Sequence, residues 1–271
     1  MELSGKVFVV TGGGNGMGRE VALLLVQRGA RVAAVDLSEE GLAETARLAG
    51  AGERLSTHVV NITDRPTVEA LPAAVEAAHG APADGIVNVA GIIHRFAKLQ
   101  DLSIEEFERV IDVNYWGTVY VTKAFLPVLL GRPSASITNF ASMGALIPFP
   151  GQGAYGSSKG AVRLFTETLL AELRDTAVQV SLVFPGAIAT NITGNSGVTA
   201  MPGAKQGDAE QSSMRAMAPA EAGRIIVDGI AAGRFRIFVG KDAKTFDRLA
   251  RLMPTRAITM IAEKVGARLG V

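Results

Sequence analysis

The sequence predicts an α/β fold: a doubly wound parallel sheet of about seven strands with helices on both faces. Three observations carry the prediction. Short apolar runs alternate with longer segments of helical spacing along most of the chain. The runs are near-continuously apolar, which suits strands buried on both faces. The first run ends in a glycine-rich string and passes at once into a helical pattern.

The predicted strands are Lys6–Thr11, Arg31–Val35, Leu55–Val60, Gly85–Asn88, Ser134–Phe140, Val178–Phe184 and Arg234–Val239. Between them the apolar residues recur every three or four positions, as in Val21, Leu24 and Leu25, and again in Val162, Phe165, Leu169 and Leu173. Residues 190–218 break this rhythm with Gly, Ser, Thr, Asn and Met, and are expected to form a substrate lid. Residues 1–240 then read as one domain and 241–271 as a helical extension. In the extension Phe246, Leu249, Ala250 and Met253 share one helical face. After Pro254, a second face holds Ile258, Ile261, Ala262, Val265 and Leu269. Its seven basic and three acidic residues give it a net charge of +4. Packing on its own subunit or a neighbour is favoured over contact with a membrane surface.

Composition narrows the function. The 271 residues carry 27 basic and 26 acidic side chains, so there is no general electrostatic case for nucleic acid. The absence of cysteine excludes disulfides, thiolate metal sites and a cysteine nucleophile. His58, His79 and His94 are far apart in sequence, and no metal site is expected. His94 is expected in an exposed loop. No stretch of about 18 apolar residues occurs, and the Val7–Val10 run is too short for a signal-peptide core, so the default expectation is the cytoplasm.

The glycine string is Thr11-Gly12-Gly13-Gly14-Asn15-Gly16-Met17-Gly18. Between a strand and a helix, such a string lets backbone approach a pyrophosphate, and the helix N-terminus offers free N–H groups and a positive dipole end. No Lys-Ser/Thr follows, which excludes a nucleoside-triphosphate loop. Asp36 ends the second strand 20 residues beyond Gly16, close to the spacing of an acid that bonds the adenosine ribose. A carboxylate there repels a 2′-phosphate, and Leu37 and Ser38 supply no cation, so NAD(H) is favoured over NADP(H). Arg19 is the one nearby basic residue.

A second constellation follows the fifth strand. Ser142 lies just past its end, and Tyr155-Gly156-Ser157-Ser158-Lys159 opens a helical stretch. Tyr155 and Lys159, at i and i+4, share a face. An ammonium beside a phenol lowers the phenol pKa toward working pH, so that the phenol can donate or accept a proton.

With these residues in place, the sequence resembles the short-chain dehydrogenase/reductase family in its compact single-domain form. The resemblance runs from Lys6 to about Val239, through the glycine string, Asp36, Asn88-Val89-Ala90-Gly91, Asn114, Ser142, Tyr155-x-x-x-Lys159 and Pro185-Gly186 in family order. It implies a Rossmann fold, a catalytic set of Asn114, Ser142, Tyr155 and Lys159, and hydride transfer between NAD(H) and a secondary alcohol or ketone, here an apolar one. Tyr155 is then the acid/base, Lys159 lowers its pKa and bonds the nicotinamide ribose, Ser142 holds the substrate oxygen, and Asn114 kinks a helix around a relay water. The implied cofactor contacts are Gly12, Asn15, Gly16, Met17, Gly18, Asp36, Leu37, Asn61, Ile62, Asn88, Ala90, Gly91, Tyr155, Lys159, Pro185, Gly186, Ile188 and Thr190. Three positions depart from the family pattern: Val89, Asn61 and Ala141, none of which handles a proton. A homodimer or homotetramer is implied as well. Two alternatives remain open at this point, an acyl-carrier-linked ketoacyl reductase and a non-enzymatic dinucleotide sensor on the same fold.

Overall fold

The computed structural model describes residues 1–189, 192–198 and 216–269. Thr190 and most of the expected lid, residues 199–215, lie outside the described residues. The strands are β1 (Val7–Thr11), β2 (Arg31–Asp36), β3 (Leu55–Val59), β4 (Gly85–Asn88), β5 (Ala135–Phe140), β6 (Val178–Pro185) and β7 (Arg236–Val239). They form one sheet in the order β3-β2-β1-β4-β5-β6-β7, and every pairing is parallel. In the central register Val9 stands opposite Ala33 on one side and Ile86 on the other.

The alternation along β1 shows how the core divides. Val7 and Val9 point to the face covered by α3 (Arg65–His79), α5 (Gly117–Leu130) and α6 (Gly153–Glu172), among Val68, Leu71, Phe125 and Leu169. Phe8 and Val10 point to the opposite face, with Val21 and Leu25 of α1 (Gly16–Gln27) and Ile226 and Ile230 of a helix at Pro219–Ala231. The central strands are buried on both faces. The edge strands β3 and β7 are only partly buried, because each has a single strand neighbour.

Local signals set the element ends. The helix α2 (Glu39–Ala49) starts where Ser38 accepts from the Gly41 N–H and stops at Gly50, which adopts the left-handed conformation. The helix α4 (Ile104–Ile111) begins with a capping box between Ser103 and Glu106. At the N-terminal ends of β1 and β4, the buried Asp84 accepts from the Val7 N–H (3.0 Å), Arg132 (2.8 and 2.9 Å) and Lys6 (3.2 Å). Burial pushes this carboxyl up, but the Val7 amide and the two cations outweigh it and hold it below the usual carboxylate range.

After a short helix α7 (Ile192–Asn195) and α8 (Pro219–Ala231), the extension folds as α9 (Lys241–Leu252) and α10 (Pro254–Leu269). It packs on the chain's own 143–149 loop. Ile147, Ala257 and Ile261 form a buried cluster edged by Leu249 and Ala250, and Phe149 meets Phe246 edge-on at 5.8 Å. Val265 and Leu269 lie outside the residues whose side chains are described, and among the described ones Met253 (38% exposed) and Ile258 (46%) are left out of the packing. Met253 sits at the break between the helices with φ −141°, so the helical spacing does not carry through it. Ile258 is one position, about a quarter turn, away from the inward Ala257.

Candidate active site

All strands run the same way, so their C-terminal ends share one edge of the sheet. Strand order reverses between β1 and β4, and a crevice opens there. A cavity of about 620 Å³ occupies it. Its walls include Gly12 and Asn15 to Gly18 from the first loop, Asp36 and Leu37 after β2, Asn61 and Ile62 after β3, and Ala90 and Gly91 after β4.

The glycine loop is a cradle that side chains would fill. Gly12 has φ +70°, and a Cβ built on it would stand 2.9 Å from the Ala90 nitrogen. A Cβ on Gly18 would land on the Gly12 carbonyl oxygen. The first turn of α1 holds no acidic residue, and Asn15 before it is extended, so the helix N-terminus presents its amides to the cavity. Arg19 braces the loop from behind: its guanidinium donates to the Gly14 and Gly41 carbonyls and to the Thr45 hydroxyl, which itself bonds the Gly13 carbonyl at 2.8 Å. Arg19 is thereby committed to holding the loop.

Asp36 is fixed over this loop. Its Oδ2 accepts from the Gly14 N–H (2.9 Å) and its Oδ1 from the Ser38 N–H (3.0 Å). Each oxygen keeps lone-pair capacity toward the cavity. Among the described residues the cavity's one lining cation is Arg109, grouped with Glu105, Glu108 and Asp112 from α4 and the segment after it. Asn61 is also committed: its Oδ1 accepts from the Thr63 N–H (3.1 Å) and hydroxyl (2.9 Å). These residues fit a dinucleotide: an amide-lined, Cβ-free cradle for the pyrophosphate, and a positioned carboxylate one strand away for ribose hydroxyls.

The second constellation assembles beside it. The helix from α4 to α5 is continuous but contains one π-turn, Asp112–Trp116, with Asn114 at its centre. Asn114 is fully buried, and its side chain accepts from the Ile92 N–H (2.8 Å) and donates to the Ile92 carbonyl (3.0 Å) and the Ser158 hydroxyl (2.9 Å). It therefore ties the loop after β4 to the helix that carries Tyr155. Lys159, one turn after Tyr155, is buried and donates to the Phe140 carbonyl at 3.1 Å. Its Nζ lies 5.9 Å from the centre of the Tyr155 ring. A Cβ on Gly91 would stand 3.0 Å from the Asn114 Oδ1 and 3.1 Å from this Nζ, so glycine keeps that space open. Ser142 caps a 3₁₀ turn by accepting from the Gly144 N–H (3.1 Å), and its hydroxyl oxygen and the Tyr155 ring both border Gly144, at 3.7 and 3.8 Å from where a Cβ there would stand.

Burial, rather than the ammonium, dominates both titrations. Desolvation pushes Tyr155 up, offset in part by the Ser142 hydroxyl, and pushes Lys159 down to about 8. The expected lowering of the phenol by its neighbouring ammonium is not the leading effect in the cleft as it stands.

Not every expected contact lines the cavity, and Tyr155 and Lys159 are among those that do not. Asn88 points into the sheet interior, donating to Asn139 (2.9 Å) and Thr122 (3.2 Å). Pro185, Gly186 and Ile188 lie at the end of β6, where Ile188 pairs with Met217. His94 is buried, not exposed: Ser196 takes the Ile93 N–H at 3.0 Å and the ring turns inward, with Nδ1 against the Arg95 carbonyl. Sequence reasoning missed Thr63, Val113 and the charged group on α4. The Asn61-x-Thr63 spacing was a readable signal of a side-chain turn, whereas nothing in the sequence pointed to α4.

Comparison with known proteins agrees with this geometry. The family model described as short chain dehydrogenase matches residues 6–200. A Mycobacterium tuberculosis protein, provisionally named the oxidoreductase SadH, is 38% identical over 267 residues, 96% of this chain and 95% of its own length. A short-chain dehydrogenase/reductase from Burkholderia phymatum, solved in complex with NAD, superposes with a TM-score of 0.84 at 28% identity, covering 95% of this chain and 97% of its own. A short-chain dehydrogenase from Burkholderia cenocepacia J2315, solved with NADP, shares the fold with a TM-score of 0.80 at 24% identity, over 96% and 99% of the two chains.

Proposed function

The chain belongs to the short-chain dehydrogenase family, and from that premise we propose an NAD(H)-dependent enzyme that interconverts a secondary alcohol and its ketone, with Tyr155 as the proton donor and acceptor. The observation that carries the reading is that Asn114 and Lys159 crowd Gly91, a wall residue of the cavity that Asp36 and the glycine loop also line, with Tyr155 one helical turn before Lys159 and Ser142 at the end of the neighbouring strand. A sensor or scaffold has no use for that arrangement.

A bound nicotinamide dinucleotide supplies the hydride acceptor or donor. The chain's own residues do the rest. The Gly12–Gly18 loop and the start of α1 hold the pyrophosphate, and Asp36 accepts from the adenosine ribose hydroxyls. Ser142 donates a hydrogen bond to the substrate oxygen. Tyr155 takes the proton from that oxygen in oxidation and returns it in reduction. Lys159 favours the phenolate form of Tyr155 and bonds the second ribose. Asn114 holds the loop and helix that keep these groups in register.

The preference for NAD(H) rests on Asp36 and on Arg19 being engaged with the loop. A 2′-phosphate would meet the Asp36 carboxylate, while Arg19 is engaged with the Gly14 and Gly41 carbonyls. We also propose an apolar substrate, because the loop that follows Ser142, residues 143–149, carries Met143, Leu146 and Phe149 and no charge. We further propose a homo-oligomer. Trp116 and Leu164 stay exposed beside the Tyr115–Phe165 contact that joins the π-turn to α6, a face suited to a second copy. Light scattering on the purified chain would give a dimer or tetramer mass.

The function is tested by following absorbance in the NADH band with NAD⁺ and NADP⁺ against secondary alcohols graded in chain length and ring content. Turnover with NAD⁺ that rises with apolar bulk is expected. A preference for NADP⁺ would overturn the Asp36 argument, and no turnover with any alcohol or ketone would overturn the reaction class.

A further inference from the structure

Asp242 lies in the first turn of α9, far in sequence from the reactive constellation, yet its carboxylate sits against the segment that ends β6. Oδ2 accepts from the Ala187 N–H at 2.8 Å, and Oδ1 accepts from the Ala243 N–H at 2.9 Å. The neighbouring Gly186 N–H donates to the Val239 carbonyl at 2.8 Å, so the two segments are joined at consecutive residues. Two glycines make room for the carboxylate: a Cβ on Gly186 or on Gly240 would run into it. Gly240 also has φ +107°, a conformation that L side chains rarely adopt. A carboxylate in a first helical turn is favoured by the helix dipole. Gly186, Gly240 and Asp242 thus interlock, although about 55 residues separate the two segments they join.

We propose that Asp242 is a positioning residue: a clasp that fixes the Pro185–Ala187 segment, which the family resemblance sets against the nicotinamide, to the N-terminus of the C-terminal extension. The inference rests on the dinucleotide reading above for its ligand, while the clasp itself is a feature of the chain. It also gives the extension a task. One end of the α9–α10 pair holds the 185–187 segment, and its apolar face covers Ile147 and Phe149 beside Ser142. The loop that follows Ser142 and the 185–187 segment are therefore tied to one element.

The test compares Asp242→Ala, Asp242→Asn and Gly240→Ala with the wild type in two readouts. The first is amide hydrogen exchange at Ala187. The second is affinity for NADH and for ADP-ribose, which lacks the nicotinamide. Asp242→Ala is expected to speed exchange at Ala187 and to weaken NADH roughly five- to tenfold, the loss of one charge-assisted hydrogen bond, while ADP-ribose affinity holds within about twofold. Asp242→Asn keeps one acceptor oxygen and should fall between. Gly240→Ala keeps the carboxylate but displaces it, and should mimic Asp242→Ala. Unchanged exchange at Ala187, or equal weakening of NADH and ADP-ribose, would overturn the clasp. If the wild type bound neither ligand, the dinucleotide reading would fall, and exchange at Ala187 would still decide whether the clasp exists.

Discussion

The phosphate half of the cleft is made of backbone, whereas the reactive half is made of side chains. Thr11 to Gly18 form the first from eight consecutive residues, whose work is done by N–H groups, a helix end and the absence of Cβ atoms. The second collects Asn114, Ser142, Tyr155 and Lys159 from a π-turn, a strand end and a helix. The backbone half is close to stable by construction, since its amides would lack helical partners in any case. The reactive half works against folding. It buries a lysine whose pKa falls to about 8 and holds a half-buried phenol that desolvation pushes the other way. Binding and proton handling should therefore be separable by substitution, and each should leave a different mark on stability.

The largest separation is expected from Tyr155→Phe. Removing the phenol should lower kcat by roughly 10²–10⁴, the usual worth of a positioned acid/base. NADH affinity, measured by fluorescence titration, should stay within about twofold. A loss of binding of similar size would join the two halves into one unit and break the comparison.

Gly18→Ala strikes the other half. Its Cβ would land on the Gly12 carbonyl, so the loop must open. NADH affinity should fall at least about tenfold, with kcat at saturating cofactor nearly kept. A fall in kcat with KM unchanged would contradict the assignment of that loop to binding.

Lys159→Met sharpens the stability contrast. The depression from 10.5 to about 8 means that holding Lys159 charged in the fold near pH 7 costs about 3 kcal/mol. Losing the bond to the Phe140 carbonyl offsets part of any gain. Thermal melts without dinucleotide should show the variant more stable by about 1–3 kcal/mol at pH 7. The unfolded chain keeps its proton to about 10.5 and the folded chain only to about 8, so wild-type stability rises between those values and the variant's advantage shrinks. A destabilised variant at pH 7 would contradict the strain assigned to this half.

The smallest effect lies outside the cleft and serves as its control. His58 and His79 share the Ser56 hydroxyl at 2.8 and 2.9 Å on the edge strand β3. Desolvation lowers both, with Arg31 adding to the effect at His79. Groups depressed in the fold stabilise it fully above their unfolded value of 6.5, and that stability is lost as pH falls below it. Melts from pH 7.5 to 5.5 should decline for the wild type and decline less for His79→Gln, with NADH affinity alike in both. An equal slope in the two proteins would remove this pair from the acid response.

The same contrast explains how much could be read in advance. The sheet, its seven strands and the glycine loop were legible because periodicity and a strand-to-helix glycine string are local signals. Tyr155 and Lys159 were legible because one helical turn separates them. Ser142 was legible as a hydroxyl just past the end of a strand, whereas Asn114 became legible only through the resemblance. The buried His94, the bracing of the loop by Arg19 and Thr45, and the Asp242 contact with Ala187 were not legible, because each is a pairing across the chain that spacing does not encode. The extension's faces were partly legible: Phe246 and Ile261 pack, but the break at Met253 resets the helical phase that sequence spacing assumes.

The most direct test of the account is label transfer. A secondary alcohol that turns over in the absorbance assay is prepared with deuterium on its carbinol carbon and incubated with NAD⁺ and the wild-type protein, and the reduced dinucleotide is weighed by mass spectrometry. The account predicts one deuterium on the nicotinamide for each ketone formed, with none lost to water. Deuterium released to solvent, or ketone formed without labelled NADH, would contradict it.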